Sequence, residues 1–360
     1  MEFIRGQHNL RPRHHGCVAT IGNFDGVHLG HQAILAQLAE LAGRLRLPRL
    51  VITFEPQPQE FFAGPAAPPA RLMRLREKLL ALEGLGIERV LCLAFDQRLA
   101  AMPAETFIED LLVARLGVRH LVIGDDFRFG YRRAGDFAML VSAGQQHGFE
   151  VVDNNSYMVD GERVSSTRVR QALGWGDLEL AAQLLGRPYD MCGRVAHGDR
   201  RGRTLGFPTA NIYLHRRATP VYGVYAVVMS GPGLKLWPGV ANVGRRPTVQ
   251  GVREQLEVHL LDFQGDLYGK HVKVDFLHYL RPEQRFASLD ALRQQIQQDE
   301  QEARNWFAAR GILQAPSSPS TPLPPGERGA NSSSPTSLPS REKGVHPSSS
   351  AALPQGKRSA

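Results

Sequence analysis

The apolar pattern of this chain changes period near Arg187, so its two halves must be built on different plans. Before that point short apolar runs alternate with helical stretches. The runs are Val18–Ile21, Leu50–Phe54, Val90–Phe95 and Leu121–Ile123, with a weaker fifth at Phe149–Val152. The clearest helical stretch follows Gly30, where Ile34, Leu35, Leu38, Leu41, Ala42 and Leu45 fall on one helical face. Leu75–Leu85, Ala104–Leu116 and Phe137–His147 read the same way. Such alternation predicts an α/β domain with a doubly wound parallel sheet, helices covering both faces. In these sheets ligands bind at the carboxyl ends of the strands, where the strand order reverses.

After Arg187 the intervening helices vanish. Val224–Met229, Leu236–Val243, Leu256–Phe263 and Val272–Leu280 are β-branched or alternating stretches separated by Gly/Pro turns, with Gly231-Pro232-Gly233 the plainest hairpin. Strands without helices between them predict a small antiparallel β-barrel. One helix closes this half, with Leu289, Leu292, Ile296, Ala303, Trp306 and Phe307 on its apolar face. Ser288 is its expected N-cap and Gly311 its stop. From about Gln314 the chain turns to Ser, Pro and Gly without an aromatic residue, and Leu-Pro recurs at Leu323, Leu338 and Leu353. Too little apolar surface remains there to offset chain entropy, so this segment is expected to be a disordered, dispensable extension. The expected divisions are therefore 1–186, 187–313 and 314–360.

The formal net charge is +8, which suits either nucleic acid or phosphorylated ligands. No helix carries a dense basic stripe and no zinc-finger spacing occurs, whereas Arg200, Arg201 and Arg203 flank glycine-rich turns. Small-molecule phosphates explain the charge at least as well, and no nucleic-acid role is expected. The N-terminal stretch lacks an apolar core of secretory length, and no apolar run approaches a bilayer span. Cys17, Cys92 and Cys192 are odd in number and far apart, which points to a reducing compartment. A cytoplasmic protein without membrane attachment is expected; the sequence is silent on protein partners.

Chemistry concentrates at two places. The run Val18–Ile21 enters Gly22-Asn23-Phe24-Asp25-Gly26-Val27-His28-Leu29-Gly30-His31, and a helix starts there. Glycines let the backbone approach a ligand closely, and a helix N-terminus directs free N–H groups at an anion. His28 and His31 add donors suited to a phosphate, although a His-x-x-His pair alone is often incidental. A zinc site would need further ligands, and no good third candidate lies nearby. The second place runs from Gly193 through His197, Gly198, Gly202 and Arg203 to Thr204-Leu205-Gly206-Phe207-Pro208-Thr209-Ala210-Asn211. Its glycines and arginines suit phosphates, and the oxygens of Thr209 and Asn211 suit Mg²⁺. The spacing is not a Walker loop, and a turn-rich barrel with incidental polar residues would look similar.

Taken whole, GNFDGVHLGH resembles the nucleotidyltransferase signature of bacterial bifunctional riboflavin kinase/FMN adenylyltransferases (FAD synthetases). TFEPQP at Thr53–Pro58, GDDFRFG at Gly124–Gly130 and VSSTRVR at Val164–Arg170 are similar to the same family, with valine at 164 where isoleucine is usual. In the second half GRTLGFPTAN, GVYAV at Gly223–Val227, PGVANVGRRPTV at Pro238–Val249, LEVHLLDF at Leu256–Phe263, DLYG and LRPEQRF resemble its riboflavin kinase module. The resemblance spans roughly residues 1–313.

The resemblance implies an N-terminal nucleotidyltransferase domain and a C-terminal kinase barrel. It implies that riboflavin and ATP give FMN, and that FMN and a second ATP give FAD and pyrophosphate. His28 and His31 would serve adenylyl transfer, with Gly22, Asn23, Phe24, Asp25, Gly26, Ser166, Thr167 and Arg170 holding ATP. Asp126, Phe127 and Phe129 would line the nucleotide and flavin crevice. In the kinase Gly198, Gly202, Arg203 and Gly206 would cradle ATP, and Thr209 and Asn211 would hold its Mg²⁺. Glu257 would take the proton from the riboflavin 5′-hydroxyl. Alone, that residue reads as an exposed strand carboxylate, turned away from Leu256 and Val258. Tyr268 reads as a core or rim aromatic.

Overall fold

The computed structural model describes residues 1–64, 68–124, 126–154, 156–196, 206–216, 218–248 and 251–312. Residues 1–315 form one compact unit. The first half is a six-stranded sheet made of β1 (Glu2–Arg5), β2 (Cys17–Ile21), β3 (Arg49–Phe54), β4 (Arg89–Leu93), β5 (Val118–Ile123) and β6 (Glu150–Asp153). Its order is β1-β4-β3-β2-β5-β6, and every neighbouring pair is parallel.

The unbroken apolar runs have a direct cause, since the central strands are buried on both faces. Ala19, Ile21, Leu50, Ile52, Leu121 and Ile123 face one layer, with Phe107, Leu111 and Leu140. Val18, Val51, Val90 and Val122 face the other, against Leu35 and Leu38 of the helix Leu29–Leu45. The expected helices at Leu75–Gly84 and Phe137–His147 form. The stretch near Ala104–Leu116 is helical too, but Phe107–Arg115 is wound as a π-helix. Strand β1 was not expected; it is four residues long, and only Ile4 in it is buried.

A short hairpin of β7 (Met158–Val159) and β8 (Glu162–Arg163) precedes two helices, Ser166–Gly174 and Leu178–Leu185. The second half is a closed six-stranded antiparallel barrel of β9 (Tyr189–Ala196), β10 (Ala210–Tyr213), β11 (Gly223–Gly231), β12 (Leu234–Thr248), β13 (Gly251–Leu260) and β14 (His271–Arg281). Its order is β10-β13-β12-β11-β14-β9. The turn at Gly231–Gly233 joins β11 to β12 as expected. Strands β9 and β10 were missed, because polar residues interrupt their short apolar patterns.

Val227, Ala241, Val243, Leu256, Val258 and Val274 fill the barrel interior. The alternate residues Ala226 and Val228 face outward and are covered by Ala303 and Phe307 of the closing helix, Leu289–Ala309. Ser288 caps that helix by accepting from the Ala291 N–H, and Gly311 follows it at φ 66°. Leu289 departs from expectation: it stands in the first turn and is exposed to solvent.

Packing does not respect a division after residue 186. Val169, Ala172, Leu173, Ala181, Leu184 and Leu185 share one continuous core with the barrel interior. The two helices before the barrel thus pack as part of it. The expected tail beyond residue 313 lies outside the described residues.

Candidate active sites

The first site lies at the carboxyl ends of the parallel strands, at the β2/β5 position where strand order reverses. One cavity of about 360 Å³ gathers the loops after β2, β3, β5 and β6 together with the start of the helix Ser166–Gly174. His28 is the N-cap of the helix Leu29–Leu45, its Nδ1 accepting from the His31 N–H at 3.3 Å. Capping fixes that ring, and the His31 ring stacks on it with centroids 3.7 Å apart. Gly30 makes the stack possible, since a Cβ there would meet the His28 ring at 3.3 Å and the Val164 carbonyl at 3.4 Å.

Burial holds both imidazoles neutral. His28 is lowered to about 4 by desolvation, against an opposing pull from Asp25. His31 lies well below its ordinary value, through burial first and the His28 and Lys78 charges second. The two rings therefore act as neutral hydrogen-bonding groups at pH 7. His31 Nδ1 and Asn23 Oδ1 are buried without hydrogen-bond partners among the described residues. Unpaired polar atoms on a cavity wall are costly unless a ligand completes them.

The loop itself is strained. Phe24 and Val27 hold φ of 47° and 44°, and a β-branched residue there is a backbone outlier. Asp25 braces it: the carboxylate is 2% exposed and accepts from the Leu72 N–H at 3.2 Å, the Met73 N–H at 3.0 Å and Arg170 Nη2 at 2.5 Å. Arg170 also donates to the Ala70 carbonyl at 2.7 Å, and the Ser166 hydroxyl donates to the Asp25 carbonyl at 2.9 Å. Asp25 thus serves as an anchor for Arg170, since both oxygens of its carboxylate accept from protein donors.

Gly22, Asn23, Phe24, Asp25, His28, His31, Ser166, Thr167, Arg170, Asp126 and Phe127 all line this cavity. Two expected residues do not. Phe129 is turned into the core against Phe107, and Gly26 is buried at φ +87° with no room for a Cβ beside Leu72. Gln57, Gln59, Asn154, Tyr157, Arg163 and Ser165 line the cavity as well and were not anticipated individually. Gln57 lies within the TFEPQP segment, and Arg163 and Ser165 within or beside VSSTRVR, so the signal was present at the level of motifs.

The second site is a cavity of about 460 Å³ at one end of the barrel, lined by Thr209, Asn211, Leu260, Phe263, Asp266 and Tyr268 among others. Asn211 is directly opposite Glu257 in the β10–β13 register, and Glu257 is opposite Asn242 in the β13–β12 register. Directly opposed residues share a face, so the three form one outward-facing polar row. Gln255 Nε2 donates to Asn211 Oδ1 at 2.6 Å, which fixes the amide orientation. Asn242 Oδ1 is buried without a hydrogen-bond partner among the described residues.

Glu257 is half-buried and points away from the interior Leu256 and Val258, as its neighbours require. It flanks the cavity without lining it. Gly206 is exposed at φ +90° and is not on the cavity wall. Gly198, Gly202 and Arg203 lie outside the described residues. Tyr268 stands on the rim. Hard oxygen donors from Thr209 and Asn211 on one wall fit a divalent cation such as Mg²⁺. No cluster of three His, Cys, Asp or Glu suited to a metal occurs among the described residues.

Comparison with known proteins matches each half of the chain to a family. The FAD synthetase family model matches residues 10–168 and the riboflavin kinase model residues 185–307. The bifunctional riboflavin kinase/FMN adenylyltransferase of Escherichia coli K12 is 55% identical over 308 residues, covering 85% of this chain and 98% of that protein. The chain belongs to the bifunctional riboflavin kinase/FMN adenylyltransferase family. Its Pseudomonas fluorescens relative is likewise 55% identical, over 88% of this chain and 99% of its own length.

A Streptococcus pneumoniae crystal structure described as a macrolide-efflux protein shares the fold with TM-score 0.73 and 30% identity. It covers 85% of this chain and 100% of its own. Among the described residues no helix here is long and apolar enough to cross a membrane. The two family matches meet around the helices Ser166–Gly174 and Leu178–Leu185, the elements whose core is shared with the barrel.

Proposed function

We propose that the sheet cavity adenylylates FMN and that the barrel cavity phosphorylates riboflavin, with ATP as donor in both. The observation that carries this reading is convergence. Two helix N-termini, a stacked neutral histidine pair and Arg170 meet on one cavity, which is what a triphosphate requires. In adenylyl transfer an FMN phosphate oxygen forms a bond to the α-phosphorus as the bond to pyrophosphate breaks. The nucleophile is already an anion, so these residues align and stabilise charge without a base.

In the barrel the nucleophile is an alcohol that needs a base, and Glu257, opposite the cavity-lining Asn211, is the carboxylate assigned to take its proton. Thr209 and Asn211 would hold Mg²⁺ there, and the cation when bound neutralises phosphate charge during transfer. Free Cys17, Cys92 and Cys192 support a cytoplasmic setting for the enzyme.

The test is purified protein with riboflavin and Mg-ATP, flavins resolved by chromatography. His31→Ala is expected to lower FAD formation about tenfold or more while FMN formation continues. Equal loss of both products with the fold preserved refutes the division of labour.

A further inference from the structure

One buried charge has no part in the chemistry above. Lys78, on the helix Leu75–Gly84, is 0% exposed, and its ammonium makes a single hydrogen bond, to Thr53 Oγ1 at 3.5 Å. No carboxylate among the described residues lies within ion-pair distance of it. An ammonium sealed from water at a position where an apolar side chain would pack is costly, so a compensating use is expected.

Its location suggests the use. Ile21 is opposite Ile52 in the β2–β3 register, and the Gly22 N–H donates to the Ile52 carbonyl at 3.0 Å. Thr53 therefore abuts the first residue of the glycine loop, and Lys78 lies beneath that loop. The titratable groups around it are Asp25 on the loop, Glu55 and Arg71 beyond β3, and the Cys92 thiol on β4, which burial keeps neutral; it in turn acts on His31.

The cavity wall has little net charge of its own. Arg170 is held by Asp25, Arg163 is paired bidentately with Asp126 at 2.8 and 2.9 Å, and both histidines are neutral at pH 7. A cavity meant for a triphosphate and a flavin phosphate needs more positive potential than paired ions give.

We propose that Lys78 is an electrostatic positioning residue for adenylyl transfer, its sealed ammonium stabilising the negative charge that builds on the departing pyrophosphate. This inference rests on the assignment of adenylyl transfer to the sheet cavity. Lys78 touches no substrate; it acts through the glycine loop and through a field that low dielectric keeps strong.

Lys78→Met keeps length and packing and removes the charge. Conversion of supplied FMN to FAD is expected to lose about tenfold or more in kcat. KM for FMN should change little, riboflavin phosphorylation should be unaffected, and the unfolding midpoint should hold or rise. Retained adenylylation by the methionine variant would show that Lys78 only fills space and would overturn the inference.

A measurement on the wild-type chain avoids dependence on that variant's folding. The Lys78 ammonium, already titrating below the ordinary lysine value through burial, is followed by nitrogen NMR with and without metal-free pyrophosphate. Reciprocal linkage requires that bound pyrophosphate raise its midpoint, by about one pH unit for a tenfold coupling. An unmoved midpoint at saturating pyrophosphate overturns the inference. A wild-type chain that forms no FAD from FMN and Mg-ATP would instead defeat the underlying assignment.

Discussion

Replacing Asp25 by asparagine tests the bracing of the first site more sharply than removing a ligand-facing residue. The carboxylate receives three donors: two backbone N–H groups and the Arg170 guanidinium. Asparagine offers one oxygen and one amino group, so at least one donor must face another donor. A hydrogen bond to a charged group contributes roughly 1.5–3 kcal/mol, and breaking a buried ion pair costs roughly 3–5 kcal/mol. Arg170 keeps 16% of its surface in water and recovers part of that, which leaves about 3 kcal/mol. If this is lost from the transition state of adenylyl transfer, kcat/KM falls by about a hundredfold. The assay is pyrophosphate release from FMN and Mg-ATP, with FMN formation from riboflavin as the internal control. Adenylylation within about threefold of wild type would refute the bracing argument, since that is under 1 kcal/mol.

Glu257→Gln preserves shape and removes the base, so riboflavin phosphorylation should fall roughly 10²–10⁴-fold while supplied FMN is still converted to FAD. Arg216→Met removes one partner of a buried pair whose side chains are 2% and 3% exposed, 2.6 Å from Glu77. Urea unfolding should show a loss of about 3 kcal/mol, at the low end for such pairs because Glu77 keeps Arg74 and backbone donors. Stability should also depend on acid. His28 titrates near 4 when folded and near 6.5 when unfolded, so the unfolded chain binds the extra proton between those values. The contribution is full above about 6.5 and is lost as pH falls toward about 4, at roughly 1.4 kcal/mol per pH unit. His28→Asn keeps the helix cap, and the difference in unfolding free energy between it and wild type should trace that slope.

Much of the fold was legible because burial on both sheet faces writes continuous apolar runs, and the barrel writes alternation. Strands β1, β9 and β10 escaped because four-residue or polar-interrupted segments carry too little pattern. Leu289 was misassigned because a helix's first turn can project beyond the surface it packs on. At the first site, the ligand-facing side chains were legible where local motifs hold them, as in the loop from Gly22 to His31. Phe129 was not: the two rings stack on each other, with Phe129 on the core side and Phe127 between it and the cavity, an order that depends on tertiary packing. Nor could any local pattern reveal the 139-residue separation bridged by Arg216 and Glu77.

That bridge bears on how the first cavity keeps its shape. Leu72 donates its N–H to Asp25, while its carbonyl accepts from the Tyr189 hydroxyl and from Arg216, both on the barrel side. Arg187, at the entry to the barrel, donates to the Gly26 carbonyl at 3.0 Å. The strained loop is therefore held from below by its own sheet and from the side by barrel residues. Ser166, Thr167 and Arg170 reach the same cavity on a helix whose apolar face belongs to the barrel's core. Strain at Phe24 and Val27 persists only where surrounding structure over-determines it, and here that structure comes from both halves. The two family segments are separate in sequence, but the geometry that places Arg170 beside the histidine pair is a product of their packing.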